Sequence, residues 1–196
     1  MCQFFSAIIV DKNRKALWDF EIDSHTELLE KFKLRDDNIS PNFVRVEFTP
    51  LDNDVFNHDF SKWRFKTDQD YRPDWYDEGE AKKTTELALK EPIGERFIIG
   101  RTVDEIKSGR WWAKDAVIKD FSGGTLSNFW GGTLSNFSGG TLQDFWGGTL
   151  QDFRGGTLQD FKKDGTGVMY NLSENKIIVA NPKIKIVRFK PKKVNK

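Results

Sequence analysis

SGGTLSNF, residues 122–129, runs without a break into WGGTLSNF, SGGTLQDF, WGGTLQDF and RGGTLQDF, ending at Phe161. Five tandem octets with so little drift mark a solenoid, in which each unit buries its apolar face only against its neighbours. A weaker copy, KDAVIKDF, precedes them at residues 114–121, and a decayed one, KDGTGVMY, follows at 163–170 after one inserted lysine. Degenerate ends suit coils that must cap the stack. An octet is too short for a helix and a turn. Its Gly-Gly pair would cost a helix about 2 kcal/mol relative to alanine, so the unit is read as a short strand and a corner. The expected fold is therefore a β-solenoid, or β-helix, built from octapeptide repeats. Leu126 and Phe129 and their copies form its inward ladder, and Ser127 and Asn128 form a corner. The residue opening each octet alternates Ser122, Trp130, Ser138, Trp146. Two octets per coil set like above like, whereas three would mix tryptophan with arginine.

Working outward, charge divides the chain of 196 residues. Residues 1–110 carry 18 Lys and Arg against 23 Asp and Glu, and residues 111–196 carry 13 against 7. Different modules are expected. In the first, residues 4–10 and 16–20 flank the turn residues DKNR and read as a hairpin. Ser24 with Glu27 is a capping box ahead of a short helix. FVRVEFTP, residues 43–50, alternates as a strand. Residues 63–66 read as a strand, 80–89 as a helix, 97–99 as a strand and 102–107 as a helical turn. The reading is a small α+β module over 1–110, a β-solenoid over 111–170, and a C-terminal strand and basic tail over 171–196. The tail holds seven basic residues and no acidic ones between Lys183 and Lys196, with KIKIVRF as its strand and PKKVNK as its disordered end.

Composition excludes several classes. One cysteine, Cys2, precludes an intramolecular disulfide framework, and no apolar run reaches the roughly 18 residues of a membrane-spanning helix. The start lacks a basic segment and cleavage site, so a cytoplasmic protein that avoids membranes is expected. A formal net charge of +1 and an acidic first module argue against direct nucleic-acid binding. No cofactor motif occurs.

The words MCQFFSAIIVDKNRKALWD (1–19), DSHTE (23–27), FVRVEFTP (43–50), WRFKTDQD (63–70) and PDWYDE (73–78), followed by short repeats, resemble a family of uncharacterised bacteriophage and prophage proteins. That family has a small N-terminal module and a repeat tract of variable length. The resemblance implies a viral or mobile-element origin, with the host cytoplasm as the place of action, and carries no catalytic residue.

Candidate sites follow from residue chemistry. Cys2, once exposed as an N-terminal residue, could act as a nucleophile with its own α-amine as base, and it could equally pack beside the first strand. The two histidines, His25 and His58, could hold zinc or manganese with Asp23, Asp54 or Asp59, although the spacing fits no metal motif. The plainer reading makes His25 an exposed first-turn residue and puts His58 in a polar loop. Residues 36–80 carry 12 acidic against 5 basic side chains, with Trp63, Tyr71, Trp75 and Tyr76 among them. Asp68, Asp70, Tyr71, Trp75 and Tyr76 would then meet a basic partner surface. The threonine column invites ice binding but lacks parallel ranks. Trp130 and Trp146 form a recognition stripe if they face outward. Asp144, Asp152 and Asp160, with the acidic loop, could imitate nucleic acid. The function expected from these readings is a non-catalytic, phage-type binding protein that docks, and inhibits, a host or defence protein. The alternatives are a Cys2-dependent enzyme and a structural or virion component, and open strand edges allow homo-oligomers.

Overall fold

The computed structural model describes residues 5–35, 42–171 and 176–179, with side chains described up to Gln159. The chain divides into two compact units, Met1–Glu95 and Arg96–Lys196. Cys2, KIKIVRF and PKKVNK lie outside the described residues.

In the first unit, β1 (Ser6–Val10), β2 (Lys15–Leu17), β3 (Val44–Pro50) and β4 (Trp63–Thr67) form an antiparallel sheet in the order β2-β1-β3-β4. The DKNR turn works because Asp11, Lys12 and Asn13 all adopt left-handed φ between 52° and 69°, a region that Asn and Asp tolerate best. Helix α1 (His25–Lys31) starts at Ser24, whose hydroxyl accepts from the Glu27 amide. Its Leu28 and Leu29 are buried with Ile8 and Phe43. Phe48, Phe60 and Trp63 form an aromatic cluster with ring centroids 5.1 to 5.5 Å apart. Helix α2 spans Glu78–Arg96, beyond the 80–89 read from sequence. Pro92 removes one amide donor, yet the helix continues through it because Ala81, Thr85, Leu89 and Ile93 make one buried stripe.

The second unit is a parallel β-solenoid of about four turns. Its long strands are β7 (Arg110–Phe121), β8 (Thr125–Phe137), β9 (Thr141–Phe153) and β10 (Thr157–Asn171). From β8 to β9 the ladder advances by sixteen residues, Thr125 pairing with Thr141 and Leu126 with Leu142. Two short strands, β5 (Phe97–Ile99) and β6 (Thr102–Ile106), pair in parallel with β7 and form the first layer. This corrects the helical turn expected at 102–107 and brings 97–106 into the solenoid. The ladder offered by β7 outweighs local helix preference there. At the other end β11 (Lys176–Val179) pairs antiparallel with β10.

Leu126, Phe129, Leu134, Phe137, Leu142, Phe145 and Leu150 are buried to the last per cent. In a straight strand residues i and i+3 face opposite sides, so burying both Leu126 and Phe129 requires the chain to turn at Ser127 and Asn128. Phenylalanines stack on their copies: Phe129 on Phe145 at 5.6 Å and 8°, and Phe137 on Phe153 at 5.6 Å and 13°. Polar columns accompany them. The Arg110 guanidinium donates to Ser127 Oγ (2.6 Å), which donates to Gln143 Oε1 (3.0 Å), and Asn128 Nδ2 donates to Asp144 Oδ2 (3.4 Å).

Candidate functional site

One stripe of side chains crosses the solenoid's rungs just before a corner, which is Gly-Gly after Trp130 and Trp146 and Asp115-Ala116 after Lys114. Ile99 pairs in the ladder with Lys114, and Lys114 with Trp130. The Trp130 and Trp146 rings meet edge to face, with centroids 5.4 Å apart and planes at 62°. The Lys114 ammonium lies over the Trp130 ring, 5.3 Å from its centroid. Ile99 is 44% exposed and Trp146 is 37% exposed, whereas Trp130 is half-buried with its Nε1 turned away from solvent, so Trp146 is the more outward of the two rings. At the rung spacing of about 4.8 Å the stripe from Ile99 to Trp146 is about 14 Å long. Local sequence explains the placement: Phe129 and Phe145 turn inward, and the next residue therefore turns out. Lys114 was legible as the residue opening KDAVIKDF. Ile99 was not, because 97–106 carries no repeat word.

The acidic candidates do not form one row. Asp144 lies on the register column of Asn128 and Asp160. Asp152 lies on the column of Asp120 and Asn136, is buried, and accepts from Arg154 Nε at 2.5 Å. The side chain of Asp160 is outside the described set. In that second column Asp120 Oδ1, Asn136 Oδ1 and Asp152 Oδ1 are buried without a hydrogen-bond partner among the described residues. Turning the Asn136 amide over would present its NH2 between the two carboxylates, in the manner of Asn128 on Asp144.

In the first unit, Asp68 is engaged by Lys66 Nζ (3.1 Å) and His25 Nδ1 (3.3 Å). Asp70 and Tyr71 are exposed, whereas Trp75 and Tyr76 are half-buried. The Tyr76 hydroxyl bonds Thr67 Oγ1 at 2.7 Å, and burial pushes its phenol up. The Trp75 carbonyl accepts from Asn13 Nδ2 at 2.9 Å. Trp63 is buried and donates to the Asn57 carbonyl at 2.6 Å. Tyr71 and Asp70 are thus the most accessible of this set.

His25 is buried, at 5% exposure, and is not the exposed first-turn residue expected from sequence. Its Nε2 donates to the Val46 carbonyl at 3.0 Å, which ties α1 to β3. A His–Asp pair is present, but the nitrogen a general base would use is committed to that carbonyl. Asp23, placed beside His25 by sequence, instead accepts from Ser6 Oγ through its carbonyl. No three His, Cys, Asp or Glu side chains converge among the described residues.

His58 sits in a loop shaped by successive side-chain turns. The Phe56 amide donates to Asp54 Oδ1, the Asp59 amide to Asn57 Oδ1, and the Ser61 amide to Asp59 Oδ1, at 3.0, 3.1 and 3.2 Å. The loop and α2 border an open cleft of about 450 Å³ lined by His58, Asp59, Phe60, Lys83, Leu87 and Lys90, with Glu86 on its wall. Burial lowers the His58 imidazole below its ordinary 6.5, against the opposing pull of Asp54. The unfolded chain therefore takes up this proton more readily than the folded one. The associated stability is present above about pH 6.5 and lost as pH falls through the lowered folded value. His58→Gln is expected to reduce the loss of Tm between pH 7.5 and pH 5.5, as read by circular dichroism melts; an unchanged loss would show that another group carries it.

No helix among the described residues is long and apolar enough to cross a membrane. Comparison of the chain with protein-family models, with curated proteins and with solved structures gave no match.

Proposed function

We propose that this is a non-catalytic binding protein, with a solenoid of octapeptides set two to a coil, whose Ile99–Lys114–Trp130–Trp146 stripe docks a partner protein. The observation that carries the reading is the exposed Trp146 ring packed edge to face on Trp130, at a place where the ladder shifts so that Trp130 pairs with Gly147. Tryptophans anchored on a rigid ladder lose little conformational freedom on binding and supply large contact area. Lys114 over Trp130 illustrates the kind of group such rings accept, and Asp144, two residues before Trp146, adds a carboxylate on the same rung. A partner surface with apolar and cationic side chains matches this chemistry.

The phage-like words in the N-terminal module make a host or defence protein the partner of choice, and inhibition by occupancy the effect. Nucleic-acid imitation draws little support, because Asp144 and Asp152 stand on different columns and Asp152 is buried.

The test is capture from host cells by the full chain and by the double variant Trp130→Ala/Trp146→Ala, followed by affinity measurement on the purified pair. The double variant is expected to weaken binding by about thirtyfold or more, with an unchanged circular dichroism spectrum. Equal retention of the partner by both proteins would remove the stripe as the site. Loss of affinity that scales steeply with salt and not with the tryptophans would favour the carboxylates instead.

A further inference from the structure

We infer that the cleft between the His58 loop and α2 binds a small amphipathic monoanion, a molecule with an apolar body and one carboxylate or sulfonate. The inference does not depend on the docking stripe. The cleft's volume of about 450 Å³ lies within the range of small-molecule sites. Phe60 and Leu87 supply an apolar surface, and Leu87 is 73% exposed in the middle of α2.

Charge decides the ligand class. Asp59 is occupied by the Ser61 amide and hydroxyl, the latter at 2.6 Å, and by Lys62 at 3.9 Å. Glu86 faces Lys82 at 3.8 Å, and Lys83 is held by Glu80 at 2.7 Å. Three of the four charged side chains around the cleft are therefore already compensated. The fourth, Lys90, has no ion pair among the described residues. One uncompensated ammonium suits one negative charge, and a dianionic phosphate would find only half of what it needs. His58, kept neutral at pH 7 by burial, lines the cleft without adding charge. An anion at Lys90 leaves the ligand's apolar body to cover Leu87 and Phe60, removing exposed hydrocarbon from water.

The experiment uses the full chain and two dyes with a similar body: 8-anilinonaphthalene-1-sulfonate, which carries the anion, and N-phenyl-1-naphthylamine, which does not. Saturable binding of the sulfonate is expected, weakened about fivefold by Lys90→Gln, while the neutral dye is indifferent to that change. Leu87→Ser is expected to weaken both. Two results overturn the proposal: sulfonate binding that neither variant alters, or a dye signal lost with Trp146→Ala and kept in Leu87→Ser, which would place the dye on the solenoid. Inorganic phosphate competing as well as benzoate would overturn the monoanion assignment.

Discussion

Phe129→Ala is expected to destabilise the solenoid by about 3–5 kcal/mol, the cost of emptying a filled aromatic site in a packed core. Phe129 is fully buried in the middle of the stack and lies parallel to Phe145 at 5.6 Å. Such a stack is close to one-dimensional: each rung is held by the rungs on either side, and a fault in the middle weakens both interfaces. Urea unfolding followed by circular dichroism reads the effect as a fall in midpoint. Phe153→Ala is the comparison, because Phe153 is only half-buried and should cost clearly less. Equal losses at the two positions would mean that the phenylalanine ladder contributes through local strand preference and not through stacking.

Gly132→Ala is expected to be nearly as damaging, by about 3 kcal/mol or more, for two separate reasons. The residue has φ of 90°, outside the range alanine adopts without strain, and an added Cβ would run into the backbone carbonyl and amide of Ala116 in the coil before it. Neither obstacle is the end of a flexible side chain, so the coils themselves would have to part. Ala116 holds the same coil position one rung earlier, and there the left-handed residue is Asp115, with φ of 51°. The β7 coil thus turns its corner with a different backbone. Gly94→Ala in α2 is the matched control: a Cβ there meets nothing within 4 Å, and alanine in a helix is favoured by up to about 1 kcal/mol. A thermal melt should show a lowered Tm for the first variant and an unchanged or raised one for the second. If Gly132→Ala melts like the wild type, the close approach of the coils at that corner is not what holds them in register.

These two residues show which parts of the molecule were legible from the residues alone. The β-solenoid was legible in the octets because identical units make identical contacts, so Leu and Phe at fixed spacing return to one buried face in every coil. The capping box at Ser24 and the turn at residues 11–14 were legible for a similar reason, since each is decided within a few residues by local hydrogen bonding and backbone preference.

Readable in the residues, then, are the local and the periodic features: the repeat, its inward ladder, the hairpin and the start of α1. Tertiary structure alone decided the rest. Residues 97–106 carry no octet word, and they become the first layer of the solenoid only because the β7 ladder offers their backbone partners. His25 looks exposed from its place in a first turn, yet β3 brings the Val46 carbonyl to it across 21 residues of chain. The contact of the Trp130 ring with Trp146, the meeting of Ile99 with Lys114, and the placing of the His58 loop against Lys83, Leu87 and Lys90 of α2 are all contacts between segments apart in sequence. Such contacts depend on which backbone edges and buried faces find each other, and short-range preference contains no record of that choice.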